Sequence, residues 1–423
     1  MTTPPSIPRR ALQAFLVALF AALLFFPLFQ HAAGKPADKR LGGIANRIRE
    51  FPQLSARTWL DGSFAKTFDA WVGEQIGVRG WLVCLARQIR YSLFGQVEAA
   101  PLRKRALVIG TPPFLYENIL LLDALRPPQI APEQMDAFAT RLARMQELLR
   151  RQGMAFLVVL APNKARVYSD ALPAWAREHI SDTHSDYLAF LDALRRHEVP
   201  VLDSMALFRE QLPEHPNLIP PHAIHWGHEG AWLAWQHAIP LINNQRVLPA
   251  LPVPATESLA MDKPSSMNDE LRGQLNLFFS PFDDAIPCAY PVAAPLPAGT
   301  EPTLDALIVG DSFGFTFLDA MARSRLCRNI HFWFYLQTFK IARPAAFDSR
   351  ETRGIAADGL GVLRPTDENG IRALEGKNLV VLVVTTFNID KFAWGFDQLV
   401  VRLYGDPDEK QTPFEEVEVN LGD

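Results

Sequence analysis

Cysteine is scarce in this sequence. Its 423 residues hold three, Cys84, Cys288 and Cys327. None forms a C-x-x-C pair or a zinc-type spacing, which excludes a metal knuckle and a thioredoxin-like redox site. The odd number leaves at least one thiol outside any disulfide, and it does not decide the compartment. A basic excess is lacking as well. The chain has 42 Lys and Arg against 46 Asp and Glu, a formal net charge of −4, so nothing in the composition points to nucleic acid. No internal repeat is present. Only one long apolar run occurs, which excludes a multi-spanning membrane protein. What the chain does have is apolar content of 48%, enough to bury at least one large core. The length suits two or three units, or one α/β domain with insertions. The 34 prolines concentrate in loops.

The single apolar run extends from Ala11 to Phe29 without a charge, directly after Arg9 and Arg10. A bilayer-spanning helix needs about 20 apolar residues, and this run just reaches that length. It is long for a signal-peptide core, and no clean small-x-small cleavage site follows. Residues 1–34 are therefore predicted to be an uncleaved N-terminal signal anchor. The expectation is a single-pass protein of the inner (cytoplasmic) membrane with its main domain periplasmic. Flanking charge contributes little here. Lys35, Lys39 and Arg40 stand on the far side of the run, and large domains translocate largely regardless of such charges.

Residues 35–100 are expected to form a helical lead-in, with amphipathic spacing around Phe64, Phe68, Trp71 and Val72. Residues 101–405 follow as the main domain. Pro132 opens a helix carrying Met135, Phe138, Leu142, Met145 and Leu149 on one face, and Gly153 stops it. Helices are also predicted over Tyr187–Arg196, Glu229–Ile242 and Gly314–Arg323. Strands are predicted at Leu107–Ile109, Phe156–Leu160, Val199–Leu202, Leu304–Val309, Ile330–Tyr335 and Leu379–Thr385. Residues 246–303, rich in Pro and Ser and without periodicity, read as an irregular insertion. Residues 406–423 read as an acidic tail. Short β-runs alternating with helices imply an α/β fold, a three-layer α/β/α sandwich around a parallel sheet.

Two segments carry the chemistry. In Val309-Gly310-Asp311-Ser312-Phe313 a buried strand runs into a glycine turn and then a helix. Ser312 thus stands at the carboxyl end of a strand, where open α/β sheets bind ligands. Its backbone N–H lies at a helix N-terminus and can face an oxyanion; alternatively, Ser312 simply caps the helix. In Ala223-Ile224-His225-Trp226-Gly227-His228-Glu229-Gly230, His225 is the candidate base for the Ser312 hydroxyl. His222, His225 and His228, with His215 upstream, raise the question of a metal. Spacings of i, i+3 and i+6 do not place all three on one helical face, so no metal site is predicted.

In these and further segments the chain resembles the SGNH-like proteins of bacterial alginate and other exopolysaccharide O-acetylation. The resemblance includes the N-terminal run and the segment with Phe51-Pro52, Asp61-Gly62, Phe68, Gln75 and Arg79. It continues through Val108-Ile109-Gly110, Phe114-Leu115-Tyr116 and Ala161-Pro162-Asn163-Lys164 with Tyr168 and Pro173. It also takes in His225-Trp226 with Glu229-Gly230, and Gly310-Asp311-Ser312-Phe313. It implies an SGNH-like sandwich and acyl transfer in which His225 deprotonates Ser312, an acetyl-serine forms, and a polysaccharide hydroxyl resolves it. No cofactor is implied. The implied partners are the polysaccharide, the membrane, and a multi-spanning membrane O-acyltransferase that donates acetyl groups.

There is one departure. The family's D-x-H-W motif has aspartate two residues before the histidine, and here Ala223 stands there. Alanine cannot orient an imidazole. A substitute carboxylate is sought at Glu229, Asp203 or the pair Asp283-Asp284; otherwise a Ser–His dyad works slowly, or the chain keeps only a binding or scaffold role. Gly314, Asn163, Asn388 and Tyr335 are the candidate oxyanion and pocket residues. Lys164 is either a substrate contact or a loop-ordering residue. A hydrolytic acetylesterase would use the same intermediate, resolved by water.

Overall fold

Three seven-residue runs, apolar except for Asp305 and the terminal Thr385, make the centre of the molecule. Ala155–Ala161, Leu304–Gly310 and Leu379–Thr385 are buried at every position, as strands covered on both faces must be. The computed structural model describes residues 9–32, 41–42, 51–75, 79–97, 106–180, 185–260, 268–282, 289–294, 301–342 and 358–409. The chain divides into two compact units. One comprises Met1–Ala99 with Gly273–Pro281, the other Ala100–Arg272 with Phe282–Asp423.

In the larger unit the strands, in chain order, begin with β1 (Leu107–Ile109), β2 (Leu115–Glu117), β3 (Ala155–Ala161) and β4 (Val201–Asp203). Next come β5 (Thr256–Ala260), β6 (Ala289–Ala293), β7 (Leu304–Gly310) and β8 (Cys327–Phe334). The last are β9 (Thr338–Ala342), β10 (Asp358–Val362) and β11 (Leu379–Thr385). The main sheet has the order β10-β9-β8-β7-β11-β3-β4. Strands β8, β7, β11, β3 and β4 are parallel neighbours. Strand β9 runs antiparallel to β8, and β10 antiparallel to β9. The sheet is thus mixed, not purely parallel as expected. The antiparallel edge is a hairpin-like addition, a common feature of large α/β sheets. Leu107–Ile109 is a strand, but it pairs with β2 in a separate two-stranded sheet.

Helices cover both faces. Pro132–Arg151, Asp186–Arg196, Asp367–Leu374 and Phe396–Tyr404 form one packed set, and Ser204–Gln211, His228–Asn244 and Phe313–Arg323 form the other. Three layers result. Registers align the strand ends, with Thr385 beside Ala161 and Val383 beside Gly310. The carboxyl edge of β7, β11 and β3 is therefore one rim, the place where such sheets bind ligands. The segment expected to be irregular, 246–303, contains the antiparallel pair β5–β6 and a described stretch, residues 268–272, that reaches this rim.

The smaller unit is helical over Arg9–Ala32, Ala56–Leu60, Ser63–Gln75 and Arg79–Phe94. Ser55 and Thr58 form a capping box at the second of these, satisfying two otherwise orphaned donors. The rings of Phe51, Phe64, Phe68 and Trp71 cluster, with centroids 5.0 Å apart for Phe51 and Trp71 and 5.6 Å for Phe64 and Phe68. Arg9–Ala32 is helical where the anchor was expected. Among the described residues no helix is long and apolar enough to cross a membrane, so the membrane-spanning role rests on the sequence run alone. Lys35, Lys39, Arg40 and residues 410–423 of the expected acidic tail lie outside the described residues.

Candidate active site

Ser312 owes its place to the end of β7. A Cβ on Gly310 would lie 2.4 Å from the Val383 carbonyl oxygen, so only glycine lets β7 and β11 approach this closely there. The next residue, Asp311, is fully buried. Its Oδ2 accepts hydrogen bonds from the Thr385 N–H (2.8 Å), the Thr385 hydroxyl (2.7 Å) and the Asn388 amide (3.0 Å). Its Oδ1 accepts from the Phe313 N–H at 3.1 Å. Burial raises the Asp311 carboxyl above its ordinary range, against the opposing pull of these donors. The carboxylate ties the tips of β7 and β11 together and fixes the turn on which Ser312 stands. Helix Phe313–Arg323 then begins, with Ser312 at its N-cap position and no side-chain capping bond. Its hydroxyl is therefore free of the capping role that sequence left open.

His225 is held from two directions. Trp226 donates from Nε1 to the Phe313 carbonyl at 3.1 Å, and its ring stacks on Phe317, so the histidine segment is fastened to the serine helix. Upstream, Lys164 is completely buried. Its Nζ approaches the carbonyl oxygens of Leu115 (2.8 Å), Pro220 (3.0 Å), Pro221 (2.7 Å) and Ala223 (2.8 Å). Three ammonium hydrogens meet four acceptors, so at least one is shared. Burial drives the Lys164 pKa well below its ordinary value. Asn163 caps the short helix Lys164–Val167 through the Ala165 N–H and donates to the Leu120 carbonyl and Asp123.

The decisive geometry follows from this scaffold. His225 Nε2 lies 2.7 Å from Ser312 Oγ, and His225 Nδ1 lies 2.6 Å from Glu270 Oε1. Glu270 Oε2 accepts from the backbone N–H of Ile224 at 2.8 Å and of His225 at 3.3 Å. An ionised carboxylate can only accept, so Nδ1 carries the ring proton and Nε2 presents its lone pair to the serine hydroxyl. Burial disfavours the charged imidazole. The Glu270 charge and its hydrogen bond outweigh that, with Asp311 and Glu117 acting in the same sense, and the His225 pKa is raised above 6.5.

The carboxylate was sought in the wrong places. Glu229 bonds His215 Nδ1 at 2.6 Å. Asp203 caps helix Ser204–Gln211 and bonds the Tyr187 hydroxyl. Asp283 and Asp284 lie outside the described residues. Glu270 went unremarked because it lies 45 positions from His225, inside the aperiodic insertion. The acidic pair Asp269-Glu270 was the one local signal.

Of the other candidates, Gly314 spends its N–H on the Asp311 carbonyl at 3.0 Å, so it does not serve an oxyanion. Its lack of a side chain is a packing requirement, since a Cβ would meet the Phe332 ring at 2.6 Å. Asn163 is buried, its side chain engaged in the capping network. Asn388 reaches Asp311 and Thr385 and so supports the serine turn from below. Tyr335 follows β8 with positive φ, its N–H bonded to the Gly310 carbonyl at 2.9 Å and its ring against Trp394. The histidines each have a carboxylate of their own: Glu229 for His215, Asp269 for His222, Glu270 for His225 and Asp319 for His228. The described residues contain no metal-binding group of three or more such side chains.

Residues 108–269 match the family model of the SGNH hydrolase-like domain of the acetyltransferase AlgX. Over that segment, less than half of its length, the chain is similar to an SGNH hydrolase-like domain. The matched segment includes Lys164 and His225, stops one residue before Glu270, and does not reach Ser312. No protein of curated function matches the chain. Among solved structures, the O-acetyltransferase domain of Pseudomonas putida AlgJ is 18% identical with a TM-score of 0.42, covering 67% of this chain and 91% of that one. Pseudomonas aeruginosa AlgX is 14% identical with a TM-score of 0.45, covering 70% and 67%. Bacillus cereus PatB1 is 13% identical with a TM-score of 0.43, covering 67% and 96%.

Proposed function

We propose that this SGNH-like domain is an O-acetyltransferase that modifies an extracytoplasmic polysaccharide through an acetyl-serine intermediate. One observation carries the reading: Ser312, His225 and Glu270 are joined in a continuous relay of 2.7 and 2.6 Å. In the first half-reaction, His225 Nε2 takes the Ser312 proton as Oγ attacks the carbonyl carbon of an acetyl donor. Glu270 stabilises the imidazolium that forms. The Ser312 N–H, at the N-terminal end of helix Phe313–Arg323, faces the oxyanion. Collapse expels the donor's leaving group, which receives the proton from His225. In the second half, a sugar hydroxyl gives its proton to His225 and attacks the acetyl-serine. Ser312 leaves and is reprotonated. No cofactor enters this cycle.

The scaffold reading drew its support from the alanine at 223, and Glu270 removes that support. Hydrolysis differs only in the acceptor. The apolar run Ala11–Phe29 would hold the enzyme at the outer face of the inner membrane, with a multi-spanning acyltransferase as the acetyl source. Incubation with an acetyl donor and acid quenching should leave one acetyl group on the peptide containing Ser312. Ser312→Ala should abolish both this adduct and polymer acetylation in cells. Full acetylation by the variant would overturn the proposal. A reporter fused after residue 45 should be active only outside the cytoplasm.

A further inference from the structure

The helix Arg79–Phe94 is turned inside out. Two of its polar residues face protein: Arg87 donates to the carbonyls of Gln274 and Leu275, and Gln88 accepts from the N–H groups of Phe278 and Phe279. Gly80 and Cys84 are buried on the same side. Its apolar residues face outward at helical spacing, with Leu82 54%, Leu85 47%, Ile89 51% and Leu93 68% exposed. Such a stripe normally faces a core. The half-exposed Trp81, stacked on Phe278, extends it, and Arg79 and Arg90 flank one border by helical spacing.

The surrounding composition is equally uneven. Large exposed apolar side chains concentrate in the smaller unit, where Phe51, Leu54, Trp59, Leu60 and Phe94 are exposed as well. Over the larger unit they are scattered singly, as at Trp175 and Ile371. Scattered exposure needs no explanation, whereas a contiguous patch marks an interaction site. Charge selects the occupant. From Arg79 to Phe94 there are three arginines and no acidic residue, in a chain whose net charge is −4. A helix with arginines beside a Trp/Leu/Ile stripe matches an anionic lipid surface.

We infer that the outward stripe of helix Arg79–Phe94, centred on Leu82, Leu85, Ile89 and Leu93, lies in the interfacial layer of an anionic bilayer. The helix rests on the membrane plane and does not cross it. Arg90, at the border of the stripe, meets lipid phosphates, and the apolar row sits at the level of the upper acyl chains. This inference does not depend on the acyl-transfer reading.

The test uses the full chain reconstituted into phosphatidylethanolamine–phosphatidylglycerol vesicles. An environment-sensitive fluorescent amino acid is placed at position 85, 89 or 93, and at exposed position 133 as a reference. Retention of the circular dichroism spectrum and thermal transition verifies folding. Expected are a blue-shifted emission, iodide quenching several-fold weaker than at 133, and strong quenching by lipids spin-labelled high on the acyl chain. Iodide access equal to that at 133 overturns the inference. So does protection from iodide without lipid quenching, since the stripe is then covered by protein, either another part of this chain or a second copy.

Discussion

Replacing Glu270 by glutamine gives the sharpest test of the relay, because it keeps shape and removes one property. The native carboxylate accepts on both oxygens, from His225 Nδ1 on one side and from the N–H groups of Ile224 and His225 on the other. A carboxamide can accept on one side only. If its oxygen faces Nδ1, its NH2 points at two backbone donors. If its oxygen faces those donors, both stay satisfied and the NH2 donates to Nδ1. The second arrangement leaves fewer groups unpaired and is the expected one. It places the ring proton on Nε2, aimed at the Ser312 hydroxyl, so the imidazole can no longer act as base. The corresponding change in the best-studied serine enzyme costs on the order of 10⁴ in rate, or about 5.4 kcal/mol.

Hydrolysis of p-nitrophenyl acetate by Glu270→Gln, followed from pH 5 to 9, reads this directly. The pH profile adds a second readout. His225 must be neutral to work, so wild-type activity falls as pH drops through its raised pKa. Loss of the Glu270 charge removes the main raising influence, so the acidic limb of the residual activity should move to lower pH. A variant within about tenfold of wild type, with an unchanged profile, would refute the role given to Glu270.

With Glu270 in place, Ala223→Asp should not accelerate ester hydrolysis; a faster enzyme would mean that the native carboxylate serves poorly. Lys164→Met removes a shared donor from four carbonyls, of which Pro220 and Pro221 keep a backbone N–H, and should lower stability by about 1–3 kcal/mol, measured by urea denaturation. Gly314→Ala drives a methyl into the Phe332 ring and should cost about 1–3 kcal/mol, with a loss of esterase activity as the start of the serine helix shifts. An unchanged melting temperature would show that the ring moves aside.

The core of the fold was legible because it is written in local pattern. Strands β3, β7 and β11 are apolar runs broken only by Asp305 and the terminal Thr385, and the sequence places them within a residue of their true ends. The helix from Pro132 announces itself by proline at its start and glycine beyond its end. Sheet membership is not a local property. Leu107–Ile109 has the composition of a sheet strand but joins β2. The edge strands β9 and β10 went unseen because Thr338–Ala342 and Asp358–Val362 are short and carry polar and glycine residues. The site divides the same way. Ser312 and His225 lie in recognisable turns at the ends of regular elements, whereas Glu270 acts from a stretch without periodicity. Its position relative to His225 is set by tertiary contacts such as the Leu271 N–H bonded to the His222 carbonyl at 2.8 Å. The Gly314 and Asn163 assignments failed for a related reason. Backbone donors and amides at helix starts look available in sequence, yet here both are already used within the chain.

Lys164 makes the acidic position of the site transferable. It grips residue 223 by the carbonyl oxygen, an atom that every amino acid possesses, so this hold on the loop into His225 does not require an aspartate there. An aspartate at 223 is therefore dispensable for placing the base, provided another segment delivers a carboxylate to Nδ1, as Glu270 does. Separating the device that aims the histidine from the one that polarises it lets either be replaced alone. A designer wishing to move the acid elsewhere in such a site should leave the buried lysine untouched and search the insertion that reaches the rim.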